Sequence, residues 1–231
     1  MFVTKHDKFL LTSIENVLQE AILATSGLTA NIGNFPIVEY ILQSLFLKMT
    51  GFQEQKLKCL CWDLSTNNFE FRCWYLSKIA QLGECSSFKA KNLIFKEIGE
   101  FFRIKNCLKG MEKEIYEETK QKIVEAFSYS ELKSCMEHQY RLFEKDDFSV
   151  FVNKSQDELL SKPLQKIYEL LYIERNRCAH NLKCYQQHLP NFDVLANEDY
   201  CFQNYFYFFW LLFIVDSVFV LLYKKIKFQE N

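Results

Sequence analysis

The chain has 231 residues, almost half of them hydrophobic, with 23 phenylalanines, six glycines, three prolines and a formal net charge of −1. So much apolar material excludes disorder over most of the length, and so few turn formers argue against a β-rich fold. Basic and acidic residues are interleaved, which excludes affinity for nucleic acid dominated by many phosphate contacts but leaves room for one small phosphate site. The expected class is all-α: one helical bundle over residues 1–231, with a weak subdivision conceivable at 144–158. The nine cysteines are odd in number and lack paired Cys-x-x-Cys spacing. With no signal-peptide pattern, they are expected to be small buried side chains in a reducing cytoplasm, with no structural metal and no cofactor.

Apolar residues Phe9, Leu10, Ile14, Val17, Leu18, Ile22 and Leu23 recur at helical spacing, which predicts one helix from Asp7 to about Ser26. The turn formers of "TSGLTANIGNFP" (25–36) predict a connection. Pro36 suits the first turn of a helix that Gly51 is expected to close. A short helix follows in "QEQKLKCLCWDLS", then one capped by Ser65 or Thr66, carrying Phe69, Phe71, Trp74, Tyr75 and Ile79 and ending at Gly83. Ser86 and Ser87 introduce a segment expected to run through Leu108. "MEKEIYEETKQKIVEAF" reads as an outer helix with charged pairs, and Ser130 caps another through Phe143. Residues 144–158 break the pattern. A helix from Ser155 or Ser161 then carries Leu164, Ile167, Tyr168, Leu171 and Tyr172 into "YIERNRCAHNLKCY" (172–185), and Pro190 marks a loop.

Residues 205–223 form an almost unbroken apolar run followed by Lys224, Lys225 and Lys227. That length and basic flank would suit a tail anchor. Asp216, near the middle, would cost roughly 2.5–3.5 kcal/mol in a bilayer and needs a partner that a lone anchor lacks. The favoured expectation is a long apolar carboxy-terminal helix in the core of the bundle, with no membrane.

Arg175, Asn176, Arg177 and His180 gather at the end of a hydrophobic helix. Arginine supplies a permanently charged fork matched to phosphate oxygens, and histidine moves protons near neutrality. Together they suit phosphodiester cleavage without a metal. Basic residues at a helix end also complement its dipole, and that role competes with the catalytic one. Five residues turn about 500° in an ideal helix, so Arg175 and His180 stand about 140° apart and share no face. A site of this kind needs a distorted or ending helix, or the motifs of two subunits.

"RNRCAHN" resembles the R-x4-6-H signature of HEPN domains, with Arg175, Asn176 and His180 at the motif positions. The last helix with its embedded acid, "FFWLLFIVDSVFVLL", looks like the final helix of that fold. "FPIVEYILQSLFLKMTGFQEQKLKCLCWDLSTNNFEFR" is similar to the helical first part of prokaryotic HEPN proteins from defence loci. The resemblance implies a HEPN-type bundle with additional helices that forms a homodimer with a composite active site. It further implies a cytoplasmic, metal-independent endoribonuclease of toxin–antitoxin or antiphage abortive-infection systems. Arg175 and His180 would be catalytic, Asn176 would support them, and Arg177 is the candidate substrate contact. RNA would be the substrate, and an antitoxin or defence-system protein a further partner. One subgroup extends the motif to R-x4-H-x-Y. Here position 182 is leucine and the nearest tyrosine is Tyr185, so regulation through that tyrosine is not implied. The alternative function is a catalytically inactive HEPN-like interaction or RNA-binding module in a defence complex.

Overall fold

The computed structural model describes residues 4–25, 27, 35–83, 85–104, 110–128, 130–147, 151, 158–180 and 202–228, with backbone alone for Phe35 and His180. Apart from 3₁₀ geometry at Phe151 and Phe202, the regular elements among them are α-helices: α1 (Lys5–Leu11), α2 (Glu15–Ala24), α3 (Phe35–Asn67), α4 (Phe69–Leu82), α5 (Phe88–Phe101), α6 (Glu112–Ser128), α7 (Glu131–Cys135), α8 (Glu137–Lys145), α9 (Lys162–His180) and α10 (Tyr205–Phe228). The expected all-α class is the observed one.

Helix α10 is the axis of the bundle. It packs against α1, α3, α6, α8 and α9, so its side chains are buried all round rather than on one stripe. It is long and apolar enough to cross a bilayer, yet most of it lies buried within the chain, as a core helix does. Aromatic rings fill the contact with α6 and α8: Phe127 meets Phe206 and Phe209, and Tyr140 and Phe143 meet Phe206. The Trp210 indole N–H donates to the Tyr116 carbonyl at 3.1 Å, so the largest buried ring leaves no orphan donor. Asn204 starts α10 by accepting the Phe206 N–H at 2.9 Å.

Several helix boundaries differ from the sequence expectation, each for a local reason. Gly51 does not end a helix; it lies within the 33-residue α3, roughly 50 Å long at 1.5 Å per residue. The stripe Leu42, Leu45, Phe46, Met49, Leu57, Leu60 and Leu64 is buried straight through it. That burial far outweighs the ~1 kcal/mol a mid-helix glycine costs. The cap between α3 and α4 is Asn68, which accepts the Phe71 N–H at 2.8 Å, and not Ser65 or Thr66. Gly83, at φ +52°, closes α4 as expected, and Ser87 caps α5 by accepting the Ala90 N–H. Helix α5 stops at Phe101, short of Leu108. Ser130 caps only α7, because Met136 leaves helical geometry and separates α7 from α8. Ser161 precedes α9, but its buried hydroxyl has no hydrogen-bond partner among the described residues.

The helix expected from Asp7 to Ser26 is broken at 12–14. Thr12 is extended, at ψ 127°, and the carbonyl and N–H released by the break go to one buried ion pair. Lys56 Nζ donates to the Thr12 carbonyl at 2.7 Å and to Asp216 Oδ1 at 2.6 Å; the Ile14 N–H donates to Asp216 Oδ2 at 3.1 Å. Asp216 thus has its partner inside the chain.

Cysteines conform only in part. Cys61 and Cys85 are buried, Cys59, Cys135 and Cys178 are half-buried, and Cys73 is exposed on α4.

Candidate functional site

The buried face of α9 comprises Leu164, Ile167, Tyr168 and Leu171. Arg175 continues it, standing four residues beyond Leu171 and seven beyond Tyr168, in phase with the stripe. Its guanidinium therefore turns inward, with its side chain only 23 % exposed, toward Glu54 of α3. Arg175 Nη2 lies 3.4 and 3.5 Å from the two Glu54 oxygens, and Nη1 donates to Asn176 Oδ1 at 3.1 Å. The fork is held by two neighbours, both at long range for charged hydrogen bonds.

Helix α9 runs without a break to its last residue, His180. Helix α9 neither distorts nor ends between Arg175 and His180, so the helical separation of about 140° stands within one chain. Ile173, seven residues before His180 and on the same helical face, is 63 % exposed. That face points outward. Asn176 is about 40° from His180 on the helical wheel and also binds Arg175, so it sits between the inward arginine and the outward face. The His180 side chain, Leu182, Tyr185, His188 and Pro190 lie outside the described residues.

Arg177 is engaged. Its Nε donates to Glu174 Oε2 at 2.8 Å and its Nη2 to Glu174 Oε1, and this pairing raises the arginine further above its ordinary value. Glu174 is itself largely enclosed. It also accepts the Tyr205 hydroxyl at 3.1 Å and the Cys178 thiol at 3.4 Å. Burial, with Glu174 beside it, pushes Cys178 up to about 12, which makes it inert as a nucleophile at neutral pH. His6 has a distant partner that its local sequence does not reveal, the Cys59 carbonyl at 3.3 Å.

Behind Glu54 lies a seam of polar groups that sequence reasoning missed. Gln53 Nε2 donates to the Leu212 carbonyl of α10 at 2.8 Å, and its Oε1 accepts from Lys91 Nζ of α5 at 2.9 Å. Lys91 is 1 % exposed and lies over the Tyr168 ring. The signal was phase: Lys91 stands three and seven residues before Ile94 and Ile98, and Glu54 three before Leu57, all on buried faces. Among the described residues, no group of three His, Cys, Asp or Glu side chains is placed to hold a metal ion.

No protein-family model, no curated protein and no solved structure matches the chain.

Proposed function

We propose that the chain is a metal-independent endoribonuclease of HEPN type, acting as a cytoplasmic homodimer in toxin–antitoxin or antiphage defence. The observation that carries the reading is the end of α9. Arg175 is held there by Glu54 and Asn176, while the helix continues unbroken to His180. Helical spacing sets the two positions about 140° apart in one chain, and a second copy meeting this end of α9 supplies the missing partners. His180 takes the proton of the ribose 2′-hydroxyl, whose oxygen attacks the adjacent phosphorus. Arg175 offsets the charge that builds on the phosphoryl oxygens. The 5′-oxygen leaves and is protonated, by His180 of the second copy where the site is composite. The products are a 2′,3′-cyclic phosphate and a 5′-hydroxyl. Arg177 reaches substrate only by exchanging Glu174 for phosphate.

The test is cleavage of RNA in the presence of a chelator by wild type, Arg175→Ala and His180→Ala, with toxicity on expression alongside. Wild type is expected to cut and to arrest growth, and both variants to fold and do neither. A folded wild-type dimer that cuts no RNA and is harmless in cells overturns the reading. One observation favours the second reading, a non-catalytic interaction or RNA-binding module: both arginines already hold internal carboxylates. On that reading, motif substitutions change assembly or binding and no RNA is cut.

A further inference from the structure

The contact between Arg175 and Glu54 is loose, at 3.4 and 3.5 Å, whereas Lys56, two residues beyond Glu54 on α3, closes on Asp216 at 2.6 Å. Lys91 brings a further buried cation to this seam. It is fully buried, and among the described residues its Nζ has a single hydrogen-bond acceptor, the neutral Oε1 of Gln53. An ammonium has three donors and needs a counter-charge nearby. The groups around it are Gln53 and Glu54 from α3, Tyr168 and Arg175 from α9, Asp216 from α10 and Cys85 from the α4–α5 connection. Asp216 is already bound by Lys56 and the Ile14 N–H. The α4 residue Tyr75 and the α3 residue Lys58 interact with Cys85 through charge in this cluster. Glu54, bonded by Arg175, is the carboxylate whose charge acts most on Lys91.

We propose that Lys91 is a positioning residue for the α9 site: its buried ammonium shares the Glu54 carboxylate with Arg175 and so leaves the Arg175 guanidinium able to exchange onto a phosphate. The inference rests on the phosphodiester-binding role given to Arg175 above. Two cations to one anion leave a net positive charge at the site, which an incoming phosphate completes. With Lys91 neutral, Glu54 belongs to Arg175 alone, and phosphate must displace it. Burial brings Lys91 down to about 8, against the pull of Glu54 and Cys85 and with the push of Arg175. The charge balance therefore changes in mild alkali, where a guanidinium keeps its charge.

The probe is a fluorescent 2′-O-methyl oligoribonucleotide, which has no free 2′-hydroxyl to attack. Its binding is measured on the full chain at fixed low salt, at about pH 7 and about pH 9.5, on either side of the Lys91 transition. Wild type is expected to bind about tenfold more weakly at the higher pH, and Lys91→Met to bind that weakly at both. Glu54→Gln, alone or with Lys91→Met, restores tight binding at both, because no carboxylate remains to compete. Arg175→Ala is weak throughout. Wild-type affinity and pH dependence in Lys91→Met overturn the proposal. So does a double variant as weak as Lys91→Met, since Lys91 then acts by packing. Cleavage of the unmodified RNA separates this from the parent reading. Binding with the stated pattern but no cleavage sinks the ribonuclease and keeps Lys91. Cleavage by Lys91→Met with an unchanged pH profile does the reverse, and a wild type that binds nothing removes both.

Discussion

Lys56 of α3 and Asp216 of α10 meet at 2.6 Å in the core, each side chain about 6 % exposed. Burial raises the Asp216 carboxyl and lowers the Lys56 ammonium, and their mutual attraction opposes both shifts. The pair is fully dressed, with the Thr12 carbonyl on the lysine and the Ile14 N–H on the aspartate. It thereby fixes where the first helix must break. Removing one partner leaves a bare buried charge and a frayed α1–α2 junction. Lys56→Met is expected to destabilise by about 3–5 kcal/mol in denaturant unfolding. Lys56→Met with Asp216→Leu should recover much of that loss, and a double variant no better than the single would contradict this account.

At the other end of α10, Tyr223 ties the termini together. Its hydroxyl donates to Asp7 Oδ1 at 2.6 Å and lies 3.2 Å from Asp63, while Lys227 Nζ sits 3.2 Å from Asp7. Burial raises the Asp7 carboxyl, but hydrogen bonds from Tyr223, Thr4 and Lys227 outweigh it and hold the group below the usual carboxylate range. A carboxyl depressed in the folded state adds stability above its unfolded value, lost as pH falls through the folded one. Tyr223→Phe should therefore cost about 1–2 kcal/mol at neutral pH. The gap to wild type should narrow only below the ordinary carboxylate range. Denaturant midpoints taken from neutrality down to strong acid test it; a gap that ignores pH points to packing instead.

Two glycines with opposite roles predict opposite effects. Gly51 lies inside α3, and a Cβ there meets nothing within 4 Å. Gly51→Ala is expected to stabilise by about 0.5–1 kcal/mol. Gly83 has the same open space but φ +52°, so Gly83→Ala is expected to destabilise by about 1 kcal/mol. Thermal midpoints moving in the same direction would refute the distinction.

These positions also show where the sequence was legible. The all-α class and the core role of α10 followed from composition and from Asp216, whose burial demanded a partner. The identity of that partner did not follow, because Lys56 lies 160 positions away and no local pattern marks it. Gly51 misled for a related reason: a glycine at a plausible cap position is indistinguishable locally from one that a long buried stripe overrides. At the α9 site, periodicity placed Arg175 and His180 on different faces, and α9 does run unbroken to His180. Glu54 and Lys91 were readable only as charges in phase with apolar stripes, a weaker sign than a motif. Glu174 carries no local mark of its role, because its partner Tyr205 comes from another helix.

Lys91 should reveal itself in stability as well as in binding, and with a sign that changes. Its folded value of about 8 stands against 10.5 for the free side chain. Between those limits the unfolded chain binds more protons than the folded one, so wild-type stability rises with pH across that window. Below it the charged, buried lysine carries the full penalty, about 3 kcal/mol at 1.36 kcal/mol per unit. Lys91→Met removes the penalty and orphans only Gln53 Oε1, at a cost of about 1 kcal/mol. The variant should thus be more stable than wild type by about 2 kcal/mol near neutrality and slightly less stable above the window, with the two curves crossing inside it. Urea unfolding across the alkaline range measures this directly. Parallel curves would mean that Lys91 enters the folded core already neutral, and that it has no charge to share with Glu54.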